Sequence, residues 1–163
     1  MTASLPDGPI DPLMFGTEQP CFGCSPNHPI GFHLRFEREQ GVVVTRFTPG
    51  ESYQGPPGMM HGGLVGALAD EVGAWTIIGL LGKFGFTAQM EAKLRRPIRI
   101  GQEVVGRGKI DEERGRTVRV SVELHQKGEL AFTGGFTFVL MDKEGAERLL
   151  EGPIPDSWKI FAR

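Results

Sequence analysis

Two cysteines in 163 residues are too few for a disulfide scaffold. The opening stretch MTASLPDGPIDPLMFG lacks the cationic start and continuous apolar core of a secretory signal. The expectation is a cytoplasmic protein with reduced thiols. A charge excess is missing too: 18 Lys and Arg against 20 Asp and Glu leave a net charge of -2. No global field draws such a chain to nucleic acid or to a membrane surface, so an anionic ligand must be met by a local cluster. Long apolar runs are also absent. The most apolar stretch, 64–81, is interrupted by Asp70 and Glu71, which a bilayer-spanning helix accepts only at considerable cost, so it reads as a core helix. No internal repeat and no low-complexity tract is found.

What the chain does contain is ordinary globular material, 39% hydrophobic and 23% charged, at a length that suits one domain. Its 24 glycines and 12 prolines act as punctuation between elements. After a leader over 1–30, expected to be irregular, Phe32, Leu34 and Phe36 alternate with polar neighbours as in a half-buried strand. Val42 to Phe47 follows across the short connection Glu39, Gln40, Gly41, a hairpin signal. His61, Gly62 and Gly63 then open one helix running to about Leu81, whose apolar residues fall all round the wheel, so it should be buried on most sides.

Further strands are expected at 87–94, 117–124 and 130–141, the last with a bulge or bend at Gly134 and Gly135, and a weaker one at 102–110. In the first of these, Ala88, Met90, Ala92 and Leu94 alternate with Thr87, Gln89, Glu91 and Lys93. Two strands, one long helix and four antiparallel strands make an α+β pattern. The core domain is expected over 31–142, with an irregular tail over 143–163 docking through Trp158 and Phe161.

The segment from His61 to Glu71 carries the chemistry. Glycines at a helix start let another molecule approach the unpaired N–H groups closely. Asp70 lies two turns further along an otherwise apolar helix, where a carboxylate is expensive unless paired or used. A packing glycine pair and a structural ion pair of Asp70 or Glu71 with Lys93 or Arg95 explain the same residues.

The pattern His61-Gly62-Gly63, then Asp70, then Thr87, then a strand ending Leu94-Arg95-Arg96-Pro97, resembles the hotdog-fold acyl-CoA thioesterases of the phenylacetate-pathway type, in the 4-hydroxybenzoyl-CoA thioesterase superfamily. The likeness runs from about Cys21 to Met141 and includes the Cys21-x-x-Cys24 entry. It implies a long helix wrapped by a six-stranded antiparallel sheet, protomers paired edge to edge as a homodimer or a homotetramer, and active sites at the interface. It also implies hydrolysis of an acyl-CoA to acid and CoA, without metal or cofactor beyond the CoA moiety of the substrate. By resemblance, Asp70 is the catalytic base or nucleophile and the Gly62 amide polarises the carbonyl. His61 orients the loop or contacts the carbonyl, Thr87 helps hold the attacking water, and Gly63 and Glu71 are candidate substrate contacts. Where many relatives carry Asn six residues before the histidine, this chain has Gly55, and Gln54 beside it is the candidate substitute.

Lys93, Arg95, Arg96 and Arg99 cluster in sequence and are the candidate phosphate contacts. Trp75, Phe84 and Phe86 are candidates for an acyl pocket, although aromatics at such spacing also build cores. Cys21 and Cys24 with His28 and His33 read either as zinc ligands or as two packed thiols, and with no second Cys-x-x-Cys the packed thiols are preferred. A redox pair is disfavoured because no helix start or basic neighbour would lower a thiol pKa. A non-catalytic acyl-CoA-binding module and a hotdog hydratase or dehydratase stand as alternatives. The hydratase needs a second acid–base group that no histidine supplies.

Overall fold

The computed structural model describes residues 5–162. One long helix, α1 (Gly62–Leu81), lies on an antiparallel sheet of seven strands. These are β1 (Gly8–Pro9), β2 (Phe36–Glu39), β3 (Val42–Phe47), β4 (Gly85–Leu94), β5 (Val104–Arg114), β6 (Thr117–Gln126) and β7 (Glu129–Leu140). Their order across the sheet is β1-β2-β3-β5-β6-β7-β4. A second helix, α2 (Lys143–Leu150), and 3-10 turns at Glu51–Tyr53 and Asp156–Trp158 complete the described elements. This is the hotdog arrangement expected from the sequence, with one strand more than the six anticipated.

Period-two patterning builds the sheet face that meets α1. Val118, Val120, Val122 and Leu124 of β6 are buried, as are Phe132, Phe136 and Phe138 of β7, and each such side chain contributes about 1.5–3 kcal/mol on burial. From the helix side come Val65, Leu68, Val72, Trp75 and Ile77, all buried. The hairpin between β2 and β3 turns through Gln40 at φ 49° and Gly41 at φ 81°, the two left-handed residues a tight primed turn requires. α1 ends at Gly82, whose left-handed backbone (φ 62°) lets its N–H reach Ile78 O at 3.0 Å.

Four expectations change. The strand at 32–37 is shorter, because His33 sits at φ 52°. Phe32 and Leu34 instead donate their N–H groups to Phe22 O and Gly23 O of the leader, both at 3.0 Å. No bulge forms at Gly134 and Gly135, which pair in register with both neighbouring strands. A Cβ on Gly134 would lie 2.8 Å from the rings of Phe132 and Phe136, so the residue is small because aromatic rings need its space. The leader is not wholly irregular, since Gly8 and Pro9 pair with β2, and Ile10 and Phe15 enter the core. Nor is the tail, where the Asp142 carboxylate accepts Gly145 N–H at 2.7 Å and starts α2. Ile154 and Phe161 beyond it are buried.

β4 is the long free edge of the sheet. Every residue from Thr87 to Leu94 is exposed, Met90 and Leu94 at 55% each.

Candidate active site

His61 caps the start of α1. Its ring Nδ1 accepts Gly63 N–H at 3.0 Å, and its carbonyl accepts Leu64 and Val65 N–H at 2.9 and 3.0 Å. Gly62 N–H takes no partner among the described residues. One donor is therefore left at the positive end of a twenty-residue helix dipole. His61, Gly62 and Gly63 are all exposed, and the nearest atom to a Cβ on Gly62 would be Leu94 Cδ2 at 3.4 Å.

Two turns along, Asp70 is half-buried between α1 and β4. Thr87 Oγ1 donates to its Oδ1 at 2.7 Å. Partial burial raises the carboxyl pKa above its usual range, against a smaller opposing effect of the Thr87 hydrogen bond. The result is a more basic carboxylate with one oxygen held in place. Simple alternation puts Thr87 on the face away from Met90, but β4 bulges between Thr87 and Gln89. Thr87 lies opposite Phe138 and Met90 opposite Phe136, so both stand on the helix side. One inserted residue thus turns Thr87 toward Asp70, as bulges beside functional groups commonly do.

The remaining candidates divide. Eight residues of helix separate Gly62 from Asp70, about 12 Å of rise, so within one chain the free N–H and the carboxylate cannot hold the same small group. Gln54 is occupied by its own loop, its Oε1 accepting Gly58 N–H at 2.8 Å and its Nε2 donating to Glu51 O at 3.2 Å. Trp75 does not line an acyl pocket within this chain: it is 2% exposed, stacked on Phe36 at 4.9 Å and edge-on to Phe15. Phe84 packs edge-on against Trp158 and Phe86.

Glu71 turns away from Asp70 toward Cys21 and Gly23. Burial, reinforced by Cys21, pushes its pKa up to about 8. The Cys21 thiol, in turn, is lowered chiefly by a hydrogen bond from Cys24, so the lowering comes from the second thiol and not from a helix start or a basic neighbour. This grouping is invisible in sequence, because 50 residues separate Cys21 from Glu71.

The four cations do not form one patch. Lys93 and Arg95 line a groove of about 970 Å³ on the outer face of the sheet, with Lys109 and Arg119, and Arg95 Nε donates to Thr133 Oγ1 at 3.0 Å. Arg96 and Arg99 line a separate hollow of about 320 Å³ with Lys127 and Gln102, where Arg96 meets Glu129 at 3.5 Å. Neither cavity touches Asp70.

Residues 57–132 match the family model described as the thioesterase superfamily, a span that holds the glycine-led helix, Asp70, Thr87 and all four cations. Over that segment the chain is similar to the thioesterase superfamily. The acyl-coenzyme A thioesterase THEM4 of Xenopus laevis is 28% identical to the chain over 97 residues, 58% of this chain and 43% of that protein, so the chain spans less than half of that relative. Among solved structures, a thioesterase superfamily protein shares 25% identity at a TM-score of 0.69, covering 83% of this chain and 71% of its own. A phenylacetic acid degradation-related protein from Ralstonia eutropha JMP134 shares the fold at 23% identity and a TM-score of 0.61, over 66% of this chain and 85% of its own. So does a hypothetical thioesterase protein from Streptococcus pneumoniae TIGR4, solved with coenzyme A, at 21% identity and a TM-score of 0.61, over 66% and 87%. The superfamily segment accounts for the start of α1 through β7's first residues, while the leader, α2 and the tail lie outside it.

Proposed function

We propose that this protein hydrolyses acyl-CoA thioesters at a site shared between two copies, in which Asp70 of one copy drives attack on a carbonyl held by Gly62 N–H of the other. The observation that carries the reading is the Thr87–Asp70 hydrogen bond of 2.7 Å on a half-buried carboxylate. A bound hydroxyl leaves one carboxylate oxygen free for water or for the thioester carbon, and burial keeps that oxygen basic. The second copy is required by the separation along α1, and the exposed β4 edge is where it would add strand to strand.

In this scheme the thioester oxygen accepts from Gly62 N–H as negative charge develops, a contribution of about 2.7–4 kcal/mol for one preorganised donor. Asp70 either takes a proton from water as the water attacks the carbon, or attacks the carbon itself to give a mixed anhydride that water then hydrolyses to the acid and free Asp70. Thiolate leaves as CoA. Thr87 is a positioning residue, and His61 holds the loop through its bond to Gly63. Arg99, paired with Met59 two residues before His61, and Arg96 in the same hollow are the first candidates for CoA phosphates, with Lys93 and Arg95 on the outer face as the second pair.

The match of 57–132 to the superfamily model, the THEM4 relative and the coenzyme A bound by a protein of the same fold support the reading. Its test is Asp70→Asn assayed on a panel of aromatic, short and medium acyl-CoA thioesters. The variant is expected to fold as wild type and lose at least about a hundredfold in turnover. Turnover equal to wild type on every thioester would overturn the assignment.

A further inference from the structure

The loop that carries Cys21 and Cys24 folds against α1 beside Glu71. One sulfur from each cysteine and one carboxylate oxygen of Glu71 all lie within 4.8 Å of one another. Cys21 Sγ donates to Glu71 Oε1 at 3.5 Å, while Glu71 Oε2 is enclosed and takes no hydrogen-bond partner. Gly23 stands so close that a Cβ there would come within 2.6 Å of that same Oε2. Gln19, itself buried, brings Nε2 to 3.6 Å from Cys24 Sγ and accepts Cys21 N–H on Oε1 at 3.3 Å.

An enclosed carboxylate oxygen without a donor is costly. Two sulfurs at Cys-x-x-Cys spacing and a carboxylate converging on one point form the donor set of a thiophilic divalent cation. We propose that Cys21, Cys24 and Glu71 bind one zinc ion, with Gln19 Oε1 or a water as the fourth donor. Zinc bonds of about 2.3 Å to sulfur and 2.0–2.2 Å to oxygen need donor–donor edges of roughly 3.5–3.8 Å, and the edge from Cys21 to Glu71 already has that length. Binding releases the thiol protons to water, and a carboxylate that holds the ion through both oxygens gives Glu71 Oε2 a partner as well as Oε1.

A Cys21–Cys24 disulfide competes for the same sulfurs but leaves Oε2 as it is. His28 and His33, the nearby histidines, stand apart from the trio: His33 is exposed with its ring bonded to the His28 carbonyl, and His28, half-buried, accepts Ile30 N–H on Nδ1 at 3.2 Å. Cys21 is only half-buried, so the ion has a way in. The ion would fasten the leader to the helix one residue from Asp70.

The experiment uses the full chain, purified with a non-thiol reductant, stripped with a chelator, and titrated with Zn²⁺ and separately with Co²⁺. The proposal expects one zinc per chain, a thiolate-to-cobalt charge-transfer band, and a melting temperature that rises on adding zinc. Glu71→Gln keeps the shape and should weaken zinc binding at least about tenfold. The Cys21→Ser, Cys24→Ser double variant should lose the cobalt band. Failure of wild type to retain zinc, equal zinc affinity in Glu71→Gln, or oxidation to the disulfide in the presence of zinc would each overturn it.

Discussion

Replacing Gly62 with proline removes one N–H and little else. Proline is tolerated at the first helical position, and His61 before it already has the extended backbone (φ -58°, ψ 131°) that a following proline demands. The space is open, since the nearest atom to a new Cβ is Leu94 Cδ2 at 3.4 Å. Gly62→Pro should therefore keep its melting temperature and lose about 100- to 1000-fold in kcat on acyl-CoA. Thr87 is tested by a pair of variants. Thr87→Val deletes the donor to Asp70 and should cost roughly tenfold to a hundredfold in kcat/KM, as expected for a hydrogen bond to a charged group. Thr87→Ser keeps a hydroxyl and should stay near wild type. Stopped assays of both on one thioester check the pair, and equal rates would show that the bond to Asp70 is idle.

At the scale of elements, β7 depends on the absence of a side chain at Gly134. Gly134→Ala forces a methyl between Phe132 and Phe136 and should lower unfolding stability by about 1–3 kcal/mol, read by urea denaturation. The sequence pointed to a glycine requirement there but not to its cause, because bulges and crowded rings select the same residue. β6 and α1 were legible from periodicity, the first at two residues and the second through apolar positions on all sides. The β4 bulge was not, since one extra residue leaves composition unchanged while reversing every later side chain. α2 was missed because its helix is short and polar, and only the Asp142 cap marks its start. In the candidate site, Asp70 and Thr87 were legible through the family pattern, whereas Glu71 was read as a substrate contact or an ion-pair partner of Lys93 or Arg95. Adjacent helical residues point about 100° apart, and Glu71 faces the cysteine loop instead.

The whole molecule is completed only by a second copy in this account. The edge opposite β4 is the two-residue β1, so β4 is the long strand left to pair. Met90→Lys together with Leu94→Lys puts charge on two exposed apolar positions of that edge. The double variant should run as a monomer in size-exclusion light scattering and lose hydrolysis with it, while wild type runs as a dimer or larger. The most direct measurement co-expresses Asp70→Asn with Gly62→Pro chains, each inactive alone. In mixed dimers, one of the two sites joins an intact Asp70 to an intact Gly62, so random pairing should restore about one quarter of wild-type activity. Activity no higher than that of the two variants assayed separately, from a sample shown to contain mixed dimers, would contradict a site shared between copies.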